Sequence, residues 1–282
     1  MRLVGVDVGG YKISAGLVVD EHVVGVTTGI TNHNEEIVPQ IQEQIDSVSH
    51  SRPFDGLGIG VPGPVIDLEE GMVLKSPNLK SIEGVRLKYE FGNVYGWKIP
   101  IVVNNDANCF ALAESRFGAG RKYKNFVGVT LGTGFGAGII IDGRLYSGKS
   151  GSAGEFGHIP IRGSFTIEDL CSGKFFKTSY GTTGTELYQR FETKKDPEAE
   201  AAFIEFGEHL GEALSLIAYG LDPEAIILGG AIARASPLFS KSMETSLKSR
   251  MQEQYTLPKV ELSTLEHAGI LGAAALCLDA GV

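Results

Sequence analysis

The residues best suited to chemistry fall in short, separate stretches. Asp7 ends an apolar run and is followed by Gly9, Gly10 and Lys12, while Gly132, Thr133 and Gly134 interrupt a second apolar run. Asn104, Asn105 and Asp106 close a third run, and Glu155 and His158 lie three apart among Gly151, Gly154 and Gly157, with Glu168 ten beyond His158. Glycines at such turns let backbone N–H groups approach an anion closely, and the Thr133 hydroxyl adds a donor. Lys12 can act as a point charge on a phosphate. A carboxylate at Asp7 would repel that phosphate unless it holds a hydrated Mg²⁺, which prefers one or two carboxylates plus phosphate oxygens. The plainer reading is a capping Asp beside a solvated Lys. Asp106 is equally open to two readings: the N-cap of the helix that follows, or a base that accepts a proton from a substrate hydroxyl. Glu155 and His158 could be half of a metal site or a bidentate grip on vicinal hydroxyls. With no second His and no Cys pair nearby, the hydroxyl grip is the better fit.

The first glycine turn has a twin. Residues 4–20 read VGVDVGGYKISAGLVVD and residues 127–142 read VGVTLGTGFGAGIIID, each a strand, a glycine turn, a strand and an acidic turn. A repeat more than a hundred residues apart predicts two related halves. Two phosphate-gripping hairpins, one from each half, would enclose a nucleotide between two domains.

Composition sets the outer limits. The 282 residues are 43% hydrophobic, enough for one large core or two moderate ones. A net charge of −9, with no basic cluster, excludes the face that a nucleic-acid backbone requires. Cys109, Cys171 and Cys277 are odd in number and far apart, which predicts a reducing compartment without disulfides. No apolar run approaches membrane-spanning length and the chain opens directly on a strand-like run, so a cytoplasmic protein with no membrane partner is expected.

The elements that must position these residues follow from periodicity. Strands are expected at 2–7, 13–19, 23–28, 57–61, 101–103, 126–131, 137–141, 225–228 and 260–262, the fourth stopped by Pro62-Gly63-Pro64. Residues 34–49 carry Ile37, Ile41, Ile45 and Val48 on one helical face, provided Pro39 falls in the first turn. Helices are expected at 107–117, within 167–180 and 185–191, at 197–221, from about 231 to 251, and at 268–278. The stripe Phe203, Phe206, Leu210, Leu214, Ile217 and Leu221 reads as core rather than as a ligand face. The boundary between halves is expected at a hinge near 106–118. The pattern is α/β with two mixed sheets, its glycine turns at strand junctions where such sheets place ligands.

Taken together, DVGGYK at 7–12, GVPGPV at 60–65, SPNL at 76–79, NNDAN at 104–108, LGTGFGAGIIIDGRLYSG at 131–148, GEFGH at 154–158, ExxxSG at 168–173 and LGGAIA at 228–233 resemble the ROK sugar kinases. The resemblance is collinear and spans most of the chain. It implies a two-domain, actin-like ATPase fold of duplicated ribonuclease H-like halves, with the active site in the interdomain cleft. The smaller domain would comprise 1–108, with the helix at about 268–282 packed back on it, and the larger 109–267. The implied reaction is transfer of the γ-phosphate of ATP to the C6 hydroxyl of a hexose, glucose foremost, with Mg²⁺. Another ROK substrate, such as fructose, mannose or an N-acetylhexosamine, remains open. A sugar-sensing regulator is the rival from another class, but it would need a DNA-binding segment ahead of the first strand.

By motif position, Asp106 would be the catalytic base, and Asn78, Asn105, Glu155, His158 and Glu168 would hold the sugar. Gly9, Gly10 and Lys12 would face the phosphates with Gly132, Thr133 and Gly134. Gly229 and Gly230 would approach the adenosine, and Asp7 would hold Mg²⁺ through water. A homodimer is in keeping with the resemblance. Three departures stand out: Tyr11 replaces the family's usual Thr, the tryptophan usual soon after PNL is absent, and the usual cysteine-rich zinc loop is missing between His158 and Glu168. No structural zinc is therefore expected. Ile159, Ile161, Phe165 and Ile167 are expected to anchor the shortened loop by burial.

Overall fold

A computed structural model describes residues 1–63 and 65–280. Pro64, which completes the expected Pro-Gly-Pro stop and lies within the GVPGPV motif, is outside the described residues, as are 281–282 at the end of the expected last helix.

In chain order the first elements are β1 (Arg2–Val8), β2 (Lys12–Val19), β3 (His22–Ile30), α1 (Ile37–Ser49), β4 (Gly56–Val61), β5 (Val65–Asp67), β6 (Met72–Lys75), α2 (Leu87–Tyr95), β7 (Ile101–Asn105) and α3 (Asp106–Phe117). There follow β8 (Phe126–Leu131), β9 (Phe135–Ile141), β10 (Arg144–Leu145), β11 (Pro160–Arg162), β12 (Phe165–Thr166), α4 (Ile167–Cys171), α5 (Gly173–Tyr180), α6 (Gly184–Lys194) and α7 (Pro197–Leu221). The chain closes with β13 (Ala225–Gly229), α8 (Ser236–Arg250), β14 (Lys259–Leu262) and α9 (Ala268–Asp279).

Two five-stranded sheets carry the architecture, in the orders β3-β2-β1-β4-β7 and β10-β9-β8-β13-β14. Strand for strand these are the same order, so the repeat seen in the sequence is a duplication of topology. In the first sheet β1 pairs antiparallel with β2 and parallel with β4. In the second, β13 lies parallel to both β8 and β14. The chain divides into two compact units, Met1–Lys124 with Gly138–Gly154 and Thr264–Val282, and Asn125–Ala137 with Glu155–Ser263. The segment 106–118, where a hinge was expected, is largely the continuous helix α3 and lies inside the first unit.

The first unit is built on the expected apolar faces. Ile37, Ile41, Ile45 and Val48 of α1 are buried, and Pro39 is the third helical residue, where its missing N–H has no intrahelical partner to lose. Helix α9 packs backbone to backbone because its residues and the facing ones are small. A side chain at Gly58 would collide with the Ala273 carbonyl, and one at Gly272 with the Cys109 carbonyl. Helix α2 was not foreseen. Only Leu87 and Phe91 among its apolar residues are fully buried, and Gly92 sits mid-helix to admit the Trp97 ring, so periodicity is faint.

The second unit buries the stripe on α7: Phe203, Phe206, Leu210, Leu214 and Ile217 lie in one cluster with Phe175, Phe176 and Phe239, and Leu221 packs at its margin. Asp196 caps α7 and Pro197 opens it. The 159–167 segment differs from expectation. Ile167 is fully buried, but Ile159 is 38% and Phe165 50% exposed. A small hairpin, β11–β12, holds the segment instead, with Ile167 N–H donating to the Ile159 carbonyl at 2.9 Å. Arg162 ties that hairpin to Glu212 of α7 at 2.7 Å, and Arg250 of α8 meets the same carboxylate at 3.1 Å. The isoleucines alternate, but a two-stranded hairpin at the surface has only one covered face.

Candidate active site

In the first unit the site residues gather at one end of the sheet. Asp7, Gly60 and Asn104 lie level on β1, β4 and β7, with Val61 beside Asn105 on the next level. Parallel pairing thus delivers Asp7 and the Asn-Asn-Asp run to the same carboxyl edge, where open α/β sheets bind ligands. The Asp7 carboxyl sits against Gly269 in the first turn of α9, so close that a side chain there would meet it at 2.7 Å. Burial raises the Asp7 carboxyl above the usual carboxylate range, and the nearby Lys12 ammonium opposes that shift.

The turn after β1 is pinned through its carbonyls. Thr31 Oγ1 donates to Gly9 O at 2.9 Å, a ring nitrogen of His33 lies 2.7 Å from Gly10 O, and Thr31 N–H donates to Tyr11 O at 3.0 Å. The Gly9 N–H is also committed, donating to the Lys12 carbonyl at 2.9 Å to close the turn. Gly10 also brings in Asn78: a side chain at Gly10 would lie 2.6 Å from the Asn78 carbonyl oxygen. Lys12 and Tyr11 are exposed, Tyr11 by 80%.

The Asn-Asn-Asp run divides its labour. Asn104 Oδ1 accepts from Asn105 N–H at 2.8 Å and from Asn108 Nδ2 at 2.9 Å. Asn105 is the N-cap of α3, accepting from Ala107 N–H at 2.8 Å and Asn108 N–H at 3.3 Å, while its Nδ2 donates to Gly63 O at 3.0 Å. Asp106 is the first helical residue and is exposed, with Oδ1 accepting from Ala107 N–H at 2.8 Å. The helix start, rich in unsatisfied N–H groups, favours a carboxylate there.

In the second unit the turn after β8 is closed by Gly132 N–H donating to Gly134 O at 3.1 Å. Gly173, at the start of α5, donates its N–H to Gly132 O at 2.8 Å. Glu168 meets the other end of the turn: Phe135 N–H donates to its Oε2 at 3.1 Å, and Lys174 Nζ lies 2.5 Å from its Oε1. Gly229 is level with Thr130 on the neighbouring strand, and Gly230, with φ of +88°, lies over Leu131. A left-handed φ there favours glycine. Gly229 and Gly230 therefore stand at the base of the Gly132–Gly134 turn.

Glu155 and His158 converge on the same place. His158 Nε2 lies 3.5 Å from Glu155 Oε2. Between them, Gly157 packs so tightly that a side chain would lie 2.7 Å from Phe135 O and 3.6 Å from Glu168 Cβ. Burial raises the Glu155 carboxyl, His158 pulls it down, and the like charge of Glu168 raises it again. Thr31, His33 and Lys174 belong to these half-sites yet carry no motif of their own. Lys174 directly follows the matched Ser172-Gly173, the only signal that could have drawn attention to it.

Among the described residues no group of three or more His, Cys, Asp or Glu side chains is disposed to hold a metal ion, and no helix is long and apolar enough to cross a membrane. Mg²⁺ needs no such cage. One half-buried carboxylate at the first glycine turn, Asp7, is of the kind that Mg²⁺ takes when its other ligands are phosphate oxygens and water.

Known proteins share the fold and much of the sequence. A glucokinase of Thermotoga maritima is 31% identical, covering 98% of this chain and 97% of its own. An N-acetyl-D-glucosamine kinase of Photobacterium profundum is 30% identical over 96% of this chain and 98% of its own. The crystal structure of a ROK family glucokinase from Streptomyces griseus, in complex with glucose and AMPPNP, superposes with a TM-score of 0.87 at 29% identity, covering 99% of this chain and all of the other. The duplicated α/β architecture is thus the actin-like ATPase fold. The ROK family model matches residues 3–280, and this chain belongs to the ROK family.

Proposed function

We propose that this protein transfers the γ-phosphoryl group of ATP to the C6 hydroxyl of a hexose, glucose foremost, with Asp106 as the base. The observation that carries this reading is the division of labour at the start of α3. Asn105 is the N-cap, and beside it the Asp106 carboxylate, which accepts from Ala107 N–H, is exposed at the sheet edge. Asp106 would take the proton of the attacking hydroxyl. Asn78, Asn105, Glu155, His158 and Glu168 would orient the sugar. Asn105 brings one remaining amide hydrogen, because its oxygen and its other hydrogen serve the cap and Gly63.

Gly9, Gly10 and Lys12 would face the phosphates from the first unit, and Gly132, Thr133 and Gly134 from the second, with Gly229 and Gly230 against the adenosine. Asp7 would hold Mg²⁺ through water, and the ion would supply charge neutralisation on the β- and γ-phosphate oxygens. The protein's own contribution is then position and preorganised donors. The likeness to an N-acetyl-D-glucosamine kinase favours a second substrate class, the N-acetylhexosamines, in the same reaction.

The test is ADP release over a panel of glucose, mannose, fructose, N-acetylglucosamine and N-acetylgalactosamine, for the wild type and for Asp106→Asn. A sugar kinase shows saturable turnover with at least one of them. Asp106→Asn should lower kcat on the order of 10²-fold while sugar affinity changes far less. Near-normal turnover in that variant would return Asp106 to a structural part. Sugar binding without turnover in the wild type would point to a sugar-responsive regulator.

A further inference from the structure

The second phosphate turn contains no charged residue, yet it is braced by an ion pair, Glu168 with Lys174, whose cation the reaction scheme leaves unused. Gly173 N–H holds the Gly132 end of the turn, and the Glu168 carboxylate holds the Phe135 end. Lys174 connects the two holds. It follows Gly173 in the chain, its N–H donates to Ser172 Oγ at 3.1 Å, and its ammonium grips the second oxygen of Glu168 at 2.5 Å. The turn, α5 and the carboxylate therefore form a closed ring of contacts in which Lys174 is the one cation. We propose that Lys174 is a positioning residue for this reaction, holding Glu168 across the turn so that the Thr133 and Gly134 N–H groups are set for the phosphates.

This rests on the kinase reading, because it takes the turn to face phosphate. The geometry explains why a cation is needed. The Glu168 carboxylate sits beside Gly134, where a side chain would lie 2.6 Å from Oε2, so a negative charge stands against the cradle of an anion. The charged groups that act on Glu168 in the second unit are Lys174 of α5 and Glu155 of the preceding loop, itself paired with His158. Asp169 is its neighbour in α4 and is engaged by Thr166. Lys174 offsets the carboxylate's repulsion of phosphate while leaving its hydrogen bond to the turn intact. It is about half exposed, so its effect is moderated by solvent.

The substitution to make is Lys174→Met, which keeps the stem and removes the charge. Expected is a rise of about 5- to 10-fold in KM for ATP and a smaller rise in KM for the sugar, which Glu168 also serves. Lys174→Arg should recover most of the loss. Amide hydrogen exchange at Phe135 should quicken in Lys174→Met without any ligand present, and binding of AMPPNP with Mg²⁺ should weaken by a similar factor. A purely structural role would lower the melting temperature and leave the ratio of the two KM values unchanged. Unchanged KM for ATP, unchanged exchange at Phe135, or failure of Arg to rescue would each overturn the proposal. If the wild type neither turns over sugar nor binds AMPPNP, the kinase reading fails with it. The exchange measurement then distinguishes the two, because it reports the brace alone.

Discussion

The two glycine turns arise from one repeated pattern but are held by different means. In the first unit the turn brings its own charges, Asp7 before it and Lys12 after it, and is fastened by hydrogen bonds from Thr31 and His33 and by the backbone of Asn78. In the second the turn is itself uncharged and is fastened by an ion pair, Glu168 with Lys174. The carboxylates follow the same division. Asp106 of the first unit is exposed at a helix start, whereas Glu155 and Glu168 of the second lie against His158 and Lys174. Duplication preserved the shape of the cradle. Its electrostatic surroundings diverged.

The sharpest way to break that comparison is to add one methyl group to each turn. Gly10 faces the Asn78 backbone, which cannot swing aside, so Gly10→Ala should cost about 2 kcal/mol of stability. It should also raise KM for ATP by an order of magnitude, read by thermal melts and steady-state kinetics. Gly134 faces only the carboxylate end of Glu168, a side chain that can turn away. Gly134→Ala should therefore cost less than about 1 kcal/mol but displace Glu168, with a several-fold rise in KM. Equal losses in the two variants would mean that the turns are held alike.

A smaller effect tests the charges. Burial raises the Glu155 carboxyl, so sugar affinity should begin to fall, as pH is lowered, above the pH at which an ordinary glutamate protonates. Glu155→Gln should abolish that acid limb while weakening sugar binding at neutral pH. For stability the sign is the reverse. The folded state holds the Glu155 proton more tightly than the unfolded chain does. Its contribution is thus fullest below the ordinary glutamate range and is lost as pH rises through the raised value. Melts of the wild type and Glu155→Gln between about pH 4 and pH 7 should show the variant gaining relative to the wild type as pH rises. A constant difference would remove Glu155 from the titrating groups. The least effect on stability is expected at Gly132, where a side chain meets no protein atom within 4 Å, so a rise in KM for ATP in Gly132→Ala would report contact with the phosphates alone.

Much of this was legible in the sequence, because it depends on local rules. Periodicity placed α1 and α7 within a few residues, since their apolar faces are continuous, and Asp196 and Pro197 also mark the start of α7. The repeat of strand, glycine turn and strand announced two equivalent sheets, and the two sheets share one strand order. Helix α2 escaped because only Leu87 and Phe91 mark its buried face and Gly92 weakens the signal. The hairpin at 159–167 misled because alternation tells which residues share a face but not whether anything covers it. Ile159 and Phe165 are left exposed, and an arginine at each side of Glu212 fastens the segment.

What the sequence determined by itself was which residues could do chemistry, and that the chain has two related halves, because turn chemistry and strand periodicity are written over a few neighbouring positions. What only the tertiary structure decided was which of those residues meet. Parallel pairing set Asp7 level with Asn104 across an intervening strand, and packing brought Gly269 of the last helix under the Asp7 carboxyl. The choice of Asn105 over Asp106 as the cap, and the seating of Glu168 and Lys174 on the second turn, likewise followed from contacts distant in the chain or from the angle at which a helix leaves its strand. Spacing along a chain does not encode such contacts, because they depend on how whole elements stack.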